Sequence, residues 1–179
     1  DGAHAMSFVG RVKPRHALLL NGLRFHHAAT GEIDTTAKLL QRIADATTSG
    51  LVVNREDPLL AAIGSRVREH GTAAALAAGT PGGAIDVREF GLSPALRAMF
   101  PSDDDFHRGV AAASATGPEG APGEDRPAAD VTLTEVGDHA AVFRVDGADW
   151  PTTLQLEGLY NTFNAAAAQC KPPSATCPT

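Results

Sequence analysis

Short apolar runs and longer stretches of helical spacing take turns over the first half of this chain. His16-Ala17-Leu18-Leu19-Leu20 has strand length and is expected to be buried on both faces. Asp34 or Thr35 is placed to cap a helix whose Ala37, Leu39, Leu40, Ile43 and Ala46 share one apolar face. Gly50 is expected to end that helix, and Leu51-Val52-Val53 reads as the next strand. Asp57-Pro58 then supplies an N-cap followed by proline at the first helical position, opening a helix with Leu59, Leu60, Ile63 and Val67. Strand, helix, strand, helix at this spacing predicts βαβ units on a parallel sheet.

The pattern changes near residue 79. Two Gly/Pro-rich stretches, Gly79 to Gly83 and Gly117 to Pro127, flank a short helix expected over Pro94 to Phe100 and the triplet Asp103-Asp104-Asp105. The interval 79–129 reads as a flexible insertion, and the triplet as a solvated turn rather than a cation site. Regular alternation returns with Val131 and Leu133, then Ala141, Phe143 and Val145, with Gly137-Asp138 as the turn of a hairpin with one buried face. A further strand is expected over Thr152 to Leu156, ending at Gly158, and a helix over Asn161 to Ala168. The fold class is therefore α/β: three layers, a mostly parallel sheet, a β-hairpin extension and a flexible insertion. The expected limits are a leader at 1–15, a domain at 16–168 and a disordered tail at 169–179.

Composition narrows the function classes. The chain has 179 residues, a net charge of −6 and a pI of about 5.6, which argues against nucleic-acid binding. Alanine accounts for 33 residues against seven Phe, one Trp and one Tyr, so the large-side-chain core is thin. No apolar run approaches a membrane span. Asp1 to Met6 lacks the basic flank and apolar stretch of a secretion signal and looks like a tag remnant. Cys170 and Cys177 are expected to be reduced thiols in a cytoplasmic protein, the alternative being one terminal disulfide in an exported one.

Catalytic signatures are mostly absent. Only Lys13, Lys38 and Lys171 are lysines and none follows a glycine, so the sequence holds no Walker phosphate loop, and GxSxG, HExxH and paired CxxC are missing too. His26-His27 follows the first strand, where ligands bind in parallel sheets, although adjacent side chains point apart. Asn161 and Asn164 stand three apart at a helix start, so both amides can face one way and match the edge of an adenine base. The alternative is Asn161 as a simple N-cap, with Ala165 to Ala168 permitting close helix packing.

Four pieces, in order, resemble the central domain of the Mur ligases, which join amino acids to peptidoglycan precursors using ATP. The branch they resemble is the MurT-type subunit of lipid II isoglutaminyl synthase. Leu18-Leu19-Leu20-Asn21 with Gly31-Glu32-Ile33-Asp34 resembles the family's strand and its G-E-I-D helix start. Leu51 to Pro58 resembles the next strand and its N-x-D-D-P turn, and Arg126-Pro127 with Asp130-Val131 the return into the ligase fold. Gly158-Leu159-Tyr160-Asn161-Thr162-Phe163-Asn164 resembles the G-x-(H/Y)-N-x-x-N motif that contacts the adenine of ATP. The resemblance implies Asn161 and Asn164 on adenine, Tyr160 beside the base, and His26 near a metal. It implies ATP and Mg²⁺ as cofactors, a glutaminase-type amidotransferase subunit as partner, and amidation of the D-glutamate of a lipid II-type substrate. Asn54 and Asp57 are expected to be structural, a strand end and a helix cap.

The chain also departs from the pattern. The family's phosphate loop and its amino-acid-binding domain lie outside this sequence, so the chain alone is expected to be inactive. Phe25 and Ala28 replace the two aspartates of the family's catalytic loop, and no cysteine lies between Gly79 and Pro127 for the zinc ribbon of MurT-type chains. The second reading is a non-catalytic binding module on a degenerate Mur ligase scaffold.

Overall fold

A computed structural model describes residues 9, 11–21, 31–78, 85–97, 129–155 and 158–170. Its centre is one six-stranded sheet whose spatial order follows the chain, β1-β2-β3-β4-β5-β6. The strands are β1 His16–Leu19, β2 Gly50–Asn54, β3 Asp86–Leu92, β4 Val131–Gly137, β5 Ala140–Val145 and β6 Ala148–Thr153. Strands β1 to β4 pair in parallel, whereas β4, β5 and β6 form an antiparallel meander. The helices are α1 Gly31–Ala46, α2 Pro58–Ala78, the single turn α3 Pro94–Arg97, and α4 Leu159–Gln169.

Two apolar cores, one on each face, make this a three-layer α/β domain. On one face Leu19, Leu51, Val53 and Val87 of the sheet meet Ala44 of α1 and Leu60, Ile63 and Val67 of α2. The period of two along β2 and β3 sends the alternate positions to the other face. There Phe90, Leu92, Val131, Leu133 and Phe143 pack with Leu96 of α3 and Phe163, Ala166 and Ala167 of α4. Gly64 lets α2 pack close on the sheet: a Cβ there would stand 2.9 Å from Val53 Cγ2.

The start of α2 forms as its sequence predicts. Asp57 Oδ1 accepts from the backbone N–H of Leu59 at 3.0 Å and of Leu60 at 3.2 Å, and Pro58 takes the first helical position. The start of α1 does not: the helix begins at Gly31, so neither Asp34 nor Thr35 is its cap, and Gly50 opens β2 instead of closing α1. Strand β1 is not buried on both faces. Leu19 turns into the α1–α2 core, but β1 is the outermost of the described strands and Leu18, on the other face, remains 47% exposed.

Three further boundaries differ from expectation. Strand β3, absent from the sequence reading, lies inside the interval 79–129 and sits between β2 and β4 in the sheet. The hairpin turn is Asp138-His139, with His139 at φ 53, one residue later than Gly137-Asp138. The last strand is Ala148–Thr153 rather than Thr152 to Leu156, because it pairs from Val145–Ala148 outward to Ala140–Thr153 across a turn at Asp146-Gly147. The Asp103 triplet, Arg126-Pro127, Cys177 and residues 171–179 lie outside the described residues.

Candidate functional site

Helix α4 runs antiparallel to the parallel strands. Ala167 in its last turn and Cys170 just beyond it border a groove of about 220 Å³ with His16, Leu18, Val52 and Arg88, at the amino ends of β1 to β3. Earlier in the helix, the Phe163 ring lies 5.2 Å from that of Phe90, near the carboxyl end of β3. The first turn of α4 therefore stands at the carboxyl end of the sheet, where open α/β sheets take their ligands.

That turn carries the three residues singled out for a nucleotide. Tyr160, Asn161 and Asn164 are all exposed, while Thr162, Phe163, Ala166 and Ala167 face inward. Spacings of one, three and four residues place the exposed set along one stripe of the helix. Asn161 is not the N-cap: Gly158 holds that position at φ 105, without a side-chain cap. Gly158 suits it because that conformation strains any residue with a Cβ. A hydroxyl–backbone contact instead serves the first turn, Thr162 Oγ1 donating to Gly158 O at 3.2 Å. His26, the metal candidate, its neighbour His27, and the loop positions Phe25 and Ala28 lie outside the described residues. Among the described residues no group of three or more His, Cys, Asp or Glu side chains is arranged to hold a metal ion.

The turn after β2 contributes a polar knot at the same end. Asn54 Nδ2 donates to Leu20 O at 3.0 Å and its Oδ1 accepts from Glu56 N at 2.9 Å, so one amide ties the end of β1 to the turn. With Asp57 capping α2, both residues have the structural roles expected of them. Glu56 was not singled out in the sequence. Its Oε1 accepts from Leu92 N at 2.9 Å, and its Oε2 from Arg97 Nε at 3.1 Å, while Arg55 Nη2 lies 3.7 Å from Oε1. Gly91 makes room for this carboxylate, since a Cβ there would stand 2.6 Å from Glu56 Oε1. Sequence alone gives little signal for the knot, because 41 residues separate Glu56 from Arg97 and only the parallel sheet brings them together.

The amino end has its own charges. Arg88 reaches Asp86 at 3.5 Å and Asp146 at 3.4 Å, and Asp130 Oδ2 accepts from Glu89 N at 2.7 Å, which pins the start of β4 to β3. Cys170 is a free, buried thiol whose pKa is pushed up to about 12, chiefly by burial and next by the negative charge of Asp130. No helix among the described residues is long and apolar enough to cross a membrane.

No protein-family model matches the chain, and no curated protein matches it. A solved structure that does match is a pseudomurein peptide ligase type C from Methanothermus fervidus. The match has 14% identity and a TM-score of 0.49, and covers 87% of this chain but 30% of that one. The chain thus spans less than a third of the ligase it matches. The α/β architecture rests on the chain's own strand order and two-sided core.

Proposed function

We propose that this chain is a Mur-ligase-like nucleotide-binding domain that takes the adenine of ATP on the first turn of α4. One observation carries the reading: Tyr160, Asn161 and Asn164 share an exposed stripe at the carboxyl end of the sheet, the end at which such folds hold ligands. Paired amides can donate to and accept from the two-sided edge of adenine, and the Tyr160 ring, 59% exposed, offers a face for the base. The finer proposal is a MurT-type role. In the complete cytoplasmic enzyme, ATP would phosphorylate the D-glutamate carboxylate of lipid II, and ammonia from a glutaminase-type partner would displace the phosphate. Mg²⁺ and His26 belong to that proposal through the resemblance alone. The phosphate loop lies outside this sequence, so binding, not turnover, is the activity proposed for the chain itself.

Calorimetric titration with ATP and Mg²⁺ tests it, alongside Asn164→Ala. Loss of one amide that reads adenine costs about 1–3 kcal/mol, roughly a 5- to 150-fold weaker Kd. Weak binding that Asn164→Ala abolishes supports the reading. No heat with the wild-type chain overturns it in favour of a non-catalytic binding module, which the replacement of the loop aspartates by Phe25 and Ala28 already favours.

A further inference from the structure

The connections that leave β2 and β3 go to opposite faces of the sheet. After β2 the chain turns through Glu56 into α2, which packs in one core; after β3 it turns through Ser93 into α3, whose Leu96 packs in the other. Adjacent connections that diverge in this way open a crevice at the carboxyl edge, the position where parallel sheets bind ligands. Arg97 stands at this crevice with its Nε held by Glu56 Oε2 at 3.1 Å and 24% of its side chain exposed. Among the described residues its two Nη groups make no hydrogen bond, which leaves four of the five guanidinium N–H donors available. The neighbouring carboxylates are already engaged: Glu56 by Leu92 N–H and Arg97, with Arg55 3.7 Å away, and Asp57 by the amides of Leu59 and Leu60.

A second group at this corner lacks a match. Ser93 Oγ is buried and has no hydrogen-bond partner among the described residues, although the Ser93 carbonyl accepts from Leu96 N at 3.0 Å and Arg97 N at 3.3 Å. A buried hydroxyl without a partner calls for an explanation, and a ligand or water that supplies the missing bond is one. We infer that Ser93 and Arg97, with Glu56 as the residue that positions the guanidinium, bind an oxyanion of the phosphate class. An arginine fork and a hydroxyl donor are the groups that recognise such oxygens. The sequence holds no Walker lysine, and this corner offers a different cation for the same ligand chemistry.

The inference does not use the α4 stripe, and its test separates the two. The whole chain is titrated calorimetrically with inorganic pyrophosphate, which has no base, and in parallel with adenosine, which has no phosphate. Pyrophosphate binding is expected to weaken about tenfold or more in Arg97→Gln, partly recover in Arg97→Lys, and fall a few-fold in Ser93→Ala. Adenosine binding should be unmoved by these changes and lost in Asn164→Ala. Thermal unfolding of each variant identifies one that fails to fold, and Ser93→Ala, which leaves the Glu56–Arg97 pair in place, then carries the test. No pyrophosphate binding by the wild-type chain up to about 10 mM, or unchanged binding in both Arg97→Gln and Ser93→Ala, overturns the inference, whatever adenosine does.

Discussion

Phe163→Ala should detach α4 without unfolding the opposite face. The ring is 7% exposed and tilted 48° against Phe90, which is fully buried, at a centroid distance of 5.2 Å. It is the largest side chain that α4 buries; the other buried positions are Thr162, Ala166 and Ala167, and Leu159 packs half-buried against the same core. Truncating a buried Phe to Ala costs about 3–5 kcal/mol, of which about 0.5–1.5 kcal/mol belongs to the ring pair itself. For a chain of this length each kcal/mol lowers Tm by about 2–4 °C, so a fall of about 6–20 °C is expected. The assay is native-state hydrogen exchange together with denaturant unfolding. Amides of α4 should lose protection first, whereas those of α2, packed through Leu60, Ile63 and Val67 into the other core, should keep most of theirs. A double-mutant cycle with Phe90→Ala isolates the ring pair. A loss below about 1 kcal/mol, or equal loss of protection on both faces, would refute the picture of two cores with α4 held chiefly by one ring.

Three further outcomes follow from the structure. Asp57→Ala removes the acceptor for two amides at the start of α2 and should lower stability by about 1–2 kcal/mol in urea unfolding, with Asp57→Asn or Asp57→Ser restoring most of it. In a Cys177→Ser background, Cys170 should resist iodoacetamide at pH 8 until the chain is denatured. A thiol at about 12 instead of 9.0 holds about a thousandfold less thiolate there, and the group is buried besides. Its linkage has a definite sign: the unfolded thiol loses its proton near 9.0 while the folded one keeps it to about 12, so the protein should lose stability as pH rises through that window. Cys170→Ala should flatten that loss, as read by urea midpoints across the window.

The parts of the fold legible in the sequence were those fixed by local rules. The cap at Asp57-Pro58, the β2 run and the hairpin alternation each have a cause within a few residues. Strand β3 was hidden because Asp86, Arg88 and Glu89 interrupt its apolar pattern; these charges are tolerated in the sheet by partners far along the chain, Asp146 for Arg88 and Arg68 for Glu89. Strand β1 misled in the opposite sense. Its leucines resemble a central strand, and only the sheet order reveals an edge with one face open. The stripe of Tyr160, Asn161 and Asn164 could be read because helical spacing is local. The corner of Glu56, Ser93 and Arg97 could not, since it exists only once β2 and β3 lie side by side.

A sheet whose spatial order repeats its chain order has a consequence for how it is made. Among the described strands each finds its partner already synthesised, and none must be threaded between two others. Assembly can advance from one end, with β2 adding to β1 and β3 to β2, each join closed by a helix of modest length. The exception is the join of β3 to β4, where Leu92 and Val131 bracket the longest interval between neighbours and only Phe90, Gly91 and Leu92 find register partners. Closing that loop carries the largest entropic cost of any neighbour pair. The parallel half and the meander half are thus joined along only three residues of β3.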